Sequence, residues 1–264
     1  MSVYKKVGYK DLVESIDSIL NQTYRTNDFI IVKDGPLTDE QNELIKKCQE
    51  HYDFFNVIEL KENKGSGTAY NIAIDNCKNE YAAIMDSDDY ADPTKFEKQI
   101  SYLEKHPEID IIGTNAVEFI GNKENIVSYR HMPETDSEIK KFAHGRCPLI
   151  QPTAIFKVEA VKKAGSYQHS PLTEDYDLYI RMIQNGCVFY TYQEILYYIR
   201  TSEDFFSRRG GIKYLKPILK FKRKHYKSGF YTFKEYAKTS MASLIVSLMP
   251  NKLRRCIYKK FLRK

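Results

Sequence analysis

The chain of 264 residues has no tryptophan, no C-x-x-C pair, no H-E-x-x-H and no G-x-S-x-G. Without H-E-x-x-H there is no metalloprotease helix, and without G-x-S-x-G no nucleophile elbow for a Ser-His-Asp hydrolase. The six histidines are scattered and are expected at surface or packing positions. The five cysteines, Cys48, Cys77, Cys147, Cys187 and Cys256, are odd in number and widely spaced. That argues against a zinc site or a disulfide framework and for a reducing compartment. The opening "MSVYKKVGYKD" lacks the apolar core of a signal peptide. No run reaches the roughly 18 apolar residues a membrane span needs, and "MASLIVSLM" (241–249) is too short. A cytoplasmic location is the expectation. The missing tryptophan, beside 21 tyrosines, carries no functional reading.

What is present is a globular balance: 42% hydrophobic and 29% charged residues exclude a disordered chain. The net charge of +6 is uneven, because the chain from Arg208 onward is rich in Lys and Arg. Such an end fits an acidic partner (nucleic acid, anionic lipid or phosphate) and equally a solvated basic face.

The first half alternates strand and helix patterns. Helices are expected over 11–22, 38–51, 66–77 and 93–106, with Thr38 as a cap and Pro93 at a helix start. Strands are expected over 29–33, 56–61, 80–85 and 109–120. That order predicts parallel strands joined by crossover helices. Ligands of open α/β sheets bind beyond the strands' carboxyl ends. Asp34, Asn63 and the run Asp86–Asp89 each follow a strand, so all three are expected at one sheet edge. The second half is less regular. It reads as helices over 133–144, 158–165 and 172–186, a strand over 153–157, and two short strands around a turn within 187–200.

Four stretches carry candidate chemistry. "DSDD" (86–89) gathers carboxylates of the kind a hard divalent cation takes together with substrate phosphates; Asp89 or Asp92 could instead cap the next helix. "NKGSGTAYN" (63–71) places Gly65 and Gly67 before a helix N-terminus, where anions are favoured. No G-K-[ST] follows, so it is no P-loop, and a plain glycine turn has the same pattern. "LTEDYDLYIRM" (172–182) puts Asp175 in a helical first turn, as a general base or as an ordinary acidic start. Asp177 is the second choice of base. "SRRGG" (207–211) offers Arg208 and Arg209 as a phosphate fork or as a basic surface loop.

Taken together, "SIDSILNQTY", "IIVKDGPLTDE", "NKGSGTAYNIAI", "MDSDDYADPTKFEKQI" and "TEDYDLYIRM" resemble family 2 glycosyltransferases in order and spacing, over roughly residues 2–215. The similar proteins build bacterial surface polysaccharides such as capsule and O-antigen. The resemblance implies one α/β domain of the nucleotide-diphospho-sugar transferase (GT-A-like) type at 1–215. Its sheet would be mixed, mainly parallel and flanked by helices, with a basic helical extension at 216–264. It implies inverting transfer from a nucleotide-sugar, with UDP-sugars the first expectation, to a lipid-linked or oligosaccharide acceptor with Mn²⁺ or Mg²⁺. Asp34, Asn63, Gly65, Asp86, Asp88, Arg208 and Arg209 would bind the nucleotide-sugar. Asp88 and Asp86 would hold the metal, and Asp175 would be the base.

The sequence departs from the family pattern twice. The chain starts at "MSVY", so most of the family's first apolar strand is absent, and loss of a central strand leaves its neighbours' ladder groups unpaired. A relative that binds nucleotide without catalysis is therefore an alternative. Gln151 also stands where relatives often carry His before Pro-Thr. Residues 242–264 mix apolar and basic residues as an interfacial helix on anionic lipid would, which suits a peripheral position on the inner membrane face. Nucleic-acid binding is the rival reading of that tail, but no recognised module accompanies it.

Overall fold

The computed structural model describes residues 1–202, 210–250 and 253–254. The first half folds as a repeated strand–helix chain. It comprises β1 (Ser2–Val3), α1 (Tyr9–Leu20), β2 (Phe29–Lys33), α2 (Asp39–His51), β3 (Phe55–Glu59), α3 (Ser66–Asp75), β4 (Tyr81–Ala83), β5 (Tyr90–Ala91), α4 (Lys95–Lys105) and β6 (Ile111–Phe119). The second half adds β7 (Ile126–Arg130), α5 (Asp136–Ala143), β8 (Ile155–Lys157), α6 (Val158–Lys163), α7 (Glu174–Gln184), β9 (Phe189–Arg200), α8 (Ile212–Lys227) and α9 (Phe233–Leu248).

Local chemistry sets several of these boundaries. Thr38 caps α2 through a capping box with Gln41, and Thr135 and Thr232 do the same for α5 and α9 with Glu138 and Glu235. Each such cap stabilises its helix by about 1 kcal/mol. The Gln41 amide also donates to the Val7 carbonyl at 2.8 Å, which ties α2 to the loop after β1.

The sheet is mixed. β1, β2 and β3 pair in parallel. The larger part runs β4-β8-β6-β9-β5, with β7 on β6, and is mostly antiparallel apart from the β6–β9 pair. A parallel bridge from Ser2 to Asp86 links the two parts. Every residue of β6 is buried, as expected of a strand covered on both faces. Apolar clusters line both faces: one holds Leu12, Ile16, Phe96 and Leu103, the other Tyr70, Ile74, Leu178 and Met182.

Residues 189–200 form one strand, not two short strands around a turn. Its pairing with β6 skips between Tyr192 and Ile195, which marks a bulge. Gln193 fills that break, donating to the Met132 and Thr191 carbonyls at 3.3 and 2.9 Å. The boundary expected at 215/216 falls inside α8. This helix packs through Phe221 against Tyr176 and Ile180 of α7, together with Phe230 and Tyr231.

Candidate active site

Asp34 immediately follows β2 and is almost fully buried. Its carboxylate accepts the backbone amides of Lys64 at 2.6 Å and Gly65 at 3.0 Å, and the Asn63 side chain donates to the Asp34 carbonyl at 3.1 Å. The strand end and the glycine loop are therefore one unit. Gly35 and Gly65 both have φ of +86°, and a Cβ on Gly35 would lie 2.7 Å from the Asn63 nitrogen. Only glycine allows that approach. Beyond the loop, a Cβ on Gly67 would meet Glu174 and Tyr167 at ordinary contact distance, so the loop abuts the start of α7.

Asp86 lies at the carboxyl end of the segment running on from β4. Tyr70 of α3 donates its hydroxyl to Asp86 Oδ1 at 2.6 Å, and Ser15 of α1 donates to the Asp86 carbonyl at 2.8 Å. The Asp86 amide in turn donates to the Tyr197 hydroxyl at 3.3 Å. Burial pushes the Asp86 carboxyl up to about 6; Asp88 and Asp175 add to this, while Tyr70 and the N-terminal ammonium oppose it. Asp88 is exposed, and its carboxyl is also raised, first by partial desolvation. Asp89 is buried and accepts the Arg200 amide at 2.7 Å. Neither Asp89 nor Asp92 caps the next helix: the N-cap of α4 is Thr94, which makes no side-chain cap bond, and Asp92 accepts from the Thr94 amide and hydroxyl at 2.9 and 2.6 Å in the turn before it.

Asp175 opens α7. Its Oδ1 accepts the Tyr176 amide at 2.8 Å, and its Oδ2 accepts the Cys147 thiol at 3.4 Å. Desolvation raises its carboxyl, and the hydrogen bonds from Tyr176 and Cys147 pull the other way. The Tyr70 ring that serves Asp86 lies 5.5 Å from the Tyr167 ring, and Gly67 abuts both Tyr167 and Glu174, the neighbour of Asp175. Leu172, just ahead of α7, adopts φ of +71°, a conformation that costs a bulky residue about 1–2 kcal/mol.

Asp177 is not available as a base. It is fully buried and accepts from Arg181 Nε at 2.9 Å, Lys224 Nζ at 2.5 Å and, through Oδ1, contacts His225 Nε2 at 2.9 Å. Burial opposes its charge, but the hydrogen bonds from His225 and Lys224 prevail and hold its carboxyl at about 2. It anchors α8 to α7. His225 is thereby a buried anchor rather than a surface group.

Arg208 and Arg209 lie outside the described residues. Sequence reasoning passed over Arg200, at the end of β9. Its guanidinium donates to the Asp88 carbonyl at 2.8 Å and the Gly121 carbonyl at 3.0 Å, and it pairs with Asp11 at 3.1 Å and Glu14 at 2.5 Å. It thus ties α1 and the loop after β6 to the acidic run. Tyr70, Tyr197 and Cys147 were also missed, because only the fold brings them to the carboxylates.

A family model described as glycosyl transferase family 2 matches residues 1–165. An uncharacterized glycosyltransferase of Haemophilus influenzae is 31% identical, covering 100% of this chain and 98% of that protein. The UDP-Gal:alpha-D-GlcNAc-diphosphoundecaprenol beta-1,3-galactosyltransferase of Escherichia coli is 28% identical, covering 100% of this chain and 95% of its own length. Among solved structures, a mannosyltransferase from Pyrobaculum calidifontis in complex with GDP-Man and Mn²⁺ shares the fold. Its TM-score is 0.63 at 13% identity, over 98% of this chain and 78% of that one.

Proposed function

This chain belongs to glycosyl transferase family 2 and is a glycosyltransferase, and we propose that it moves a sugar from a UDP-sugar to a hydroxyl of a lipid-linked or saccharide acceptor, with inversion, in surface-polysaccharide synthesis. One observation supports this reading: the Asp34-held glycine loop leads into α3, whose Tyr70 binds Asp86 and packs on Tyr167, while Gly67 abuts Glu174 at the start of the helix that carries Asp175. The donor and lipid-diphosphate acceptor in the name of the E. coli relative support the choice of substrates.

With the Lys64 and Gly65 amides spent on Asp34, the first-turn amides of α3, from Ser66 onward, would face the donor's diphosphate. Asp34 and Asn63 hold that loop and border the nucleoside. A divalent cation, Mn²⁺ or Mg²⁺, fits the donor set at Asp88 and Asp86. Both carboxyls are raised by burial and Asp86 further by its neighbours' charge, a penalty that a cation relieves. Among the described residues no three His, Cys, Asp or Glu side chains close a metal cage. Two carboxylates completed by substrate phosphates and water is the usual arrangement for such ions. When bound, the cation would offset charge on the departing nucleoside diphosphate.

Asp175 accepts the acceptor hydroxyl's proton as that oxygen bonds to the anomeric carbon. The bond from that carbon to the diphosphate oxygen breaks, and its electron pair leaves with the nucleotide. Desolvation raises the Asp175 carboxyl and so makes it a better proton acceptor when ionised. Arg208 and Arg209 would add positive charge at the diphosphate. Residues 242–264 would meet anionic lipid beside a lipid-linked acceptor. Met241, Leu244, Ile245 and Leu248 of α9 are exposed, which supports that role. Among the described residues no helix is long and apolar enough to cross a membrane.

The test is a panel of nucleotide-sugars with and without Mn²⁺, comparing the wild type with Asp175→Asn and Asp88→Asn. Transfer should depend on the cation, fall by about 100-fold or more in Asp175→Asn, and lose cation dependence in Asp88→Asn. Folded protein that takes up no UDP-sugar in the presence of Mn²⁺ would overturn the reading.

A further inference from the structure

One line of contacts joins Asp86 to Asp175, and Gln151 stands in the middle of it. On the Asp86 side, Tyr70 donates to Asp86 Oδ1 at 2.6 Å, and its ring lies 5.5 Å from the ring of Tyr167. On the Asp175 side, the Cys147 thiol reaches Asp175 Oδ2 and the Leu149 carbonyl, each at 3.4 Å. Two residues beyond Leu149, the Gln151 amide nitrogen donates to the Tyr167 hydroxyl at 3.1 Å. The line between the two acids therefore closes through Gln151.

Both partners of that closing contact are held from behind. Gln151 starts a short 3-10 turn, Gln151–Thr153. The Thr153 hydroxyl donates to the Ile150 carbonyl at 2.7 Å and accepts the Thr114 amide of β6 at 3.1 Å, which pins the turn to the sheet. Tyr167 is gripped by its backbone: its amide donates to Asn71 Oδ1 and its carbonyl accepts from Asn71 Nδ2, each at 2.8 Å. The loop around it carries two non-glycine residues in the left-handed region, Ser166 at φ +50° and Leu172 at +71°. Arg181 holds this loop by donating to the Ala164 and Ser166 carbonyls. Backbone kept in such conformations clusters at ligand sites.

A carboxamide has a donor end and an acceptor end. Nε2 of Gln151 is spent on Tyr167, which leaves Oε1 as the open end. Gln151 is half-buried, and among the described residues no group hydrogen-bonds its Oε1. It is a fixed, uncharged acceptor between the acid assigned to the cation and the acid assigned to the proton. A phosphate would find no donor there, whereas a hydroxyl of the group in transit finds its complement.

We propose that Gln151 is a specificity-determining residue for the transferred sugar: its Oε1 accepts a hydrogen bond from one ring hydroxyl of the donor's hexose, and Tyr167 is the positioning residue that holds the carboxamide. The inference rests on the transferase reading and deepens it.

The test pairs side-chain changes with single hydroxyl deletions on the donor. Wild type, Gln151→Met, Gln151→Glu and Tyr167→Phe are compared on UDP-glucose, UDP-galactose and their monodeoxy analogues. In the wild type, deleting the recognised hydroxyl should lower kcat/KM by about tenfold. The same deletion should cost nothing further in Gln151→Met, persist in Gln151→Glu, which keeps an acceptor, and shrink in Tyr167→Phe. Calorimetric affinity for UDP itself should stay the same in all four proteins. Deletion costs that match between wild type and Gln151→Met at every hydroxyl overturn the proposal. A Gln151→Met loss that falls equally on UDP and on UDP-sugars also overturns it, since that is the mark of a structural tie. So does a loss confined to the acceptor's KM. Each of these results leaves the transferase reading standing. Folded wild type that takes up no UDP-sugar in the presence of Mn²⁺ overturns that reading and this proposal together.

Discussion

Tyr70 on α3 donates a 2.6 Å hydrogen bond to Asp86 Oδ1, so a helix that follows the glycine loop also sets the charge of the first acid of the D-x-D. That hydrogen bond favours the ionised carboxylate against the burial that lifts it to about 6. In Tyr70→Phe the Asp86 carboxyl should therefore rise further. Asp86 must be ionised to hold a cation, so nucleotide-sugar affinity with Mn²⁺ should fall most near pH 6 and recover by about pH 8. Calorimetric titration across that range checks it; an equal loss at every pH would mean the hydroxyl acts by shape alone.

The Cys147 thiol does the same for Asp175 from another element, at 3.4 Å. Its hydrogen bond lowers a carboxyl that desolvation raises. Cys147→Ala removes the donor, so the acidic limb of the transfer rate should move to higher pH while the alkaline plateau stays near the wild type. Cys147→Ser, which keeps a donor, should restore most of the shift. A plateau that collapses in both variants at unchanged melting temperature would refute this positioning role.

Gly35 has φ of +86°, and its missing Cβ makes room for the Asn63 backbone at 2.7 Å. Gly35→Ala should destabilise the fold by about 1–3 kcal/mol through backbone strain and displacement of the loop. Denaturant unfolding measures that term. Donor affinity should fall as well, since the Asp34 carboxylate would no longer meet the amides of Lys64 and Gly65 in their present positions.

How far the sequence could be read depended on whether a signal was local. Thr38 as a cap, the run 29–33 and the apolar face of α1 each declare themselves within one element, and all three fold as expected. The acids after β2 and β4 were legible because strand ends share an edge in an α/β sheet. The bulge in β9 was not legible, because it depends on Gln193 reaching Met132 across the fold. Nor was the role of Arg200, which joins Asp11, Glu14 and Asp88, each more than 100 positions away from it along the chain. Nor was the cavity beside Met1 legible, because it is bounded by β2 and β4, which only the fold brings to either side of Ser2.

Asp177 supplies a prediction about acid stability. Buried between Arg181, Lys224 and His225, its carboxyl is held at about 2, below the roughly 3.9 of an unfolded Asp. A group whose pKa is depressed on folding contributes stability that is fully present above its unfolded value and lost as pH falls through its folded one. The wild type should therefore lose this contribution between about pH 4 and pH 2. Asp177→Asn leaves the Lys224 and Arg181 charges without a counter-ion at the α7–α8 contact. It should cost about 3 kcal/mol at neutral pH and flatten the stability profile across that acid window. Urea unfolding from pH 2 to pH 7 reads both effects. If the variant's curve merely runs parallel to the wild type's down to pH 2, the loss is one of packing, and the ion cluster does not supply the acid sensitivity.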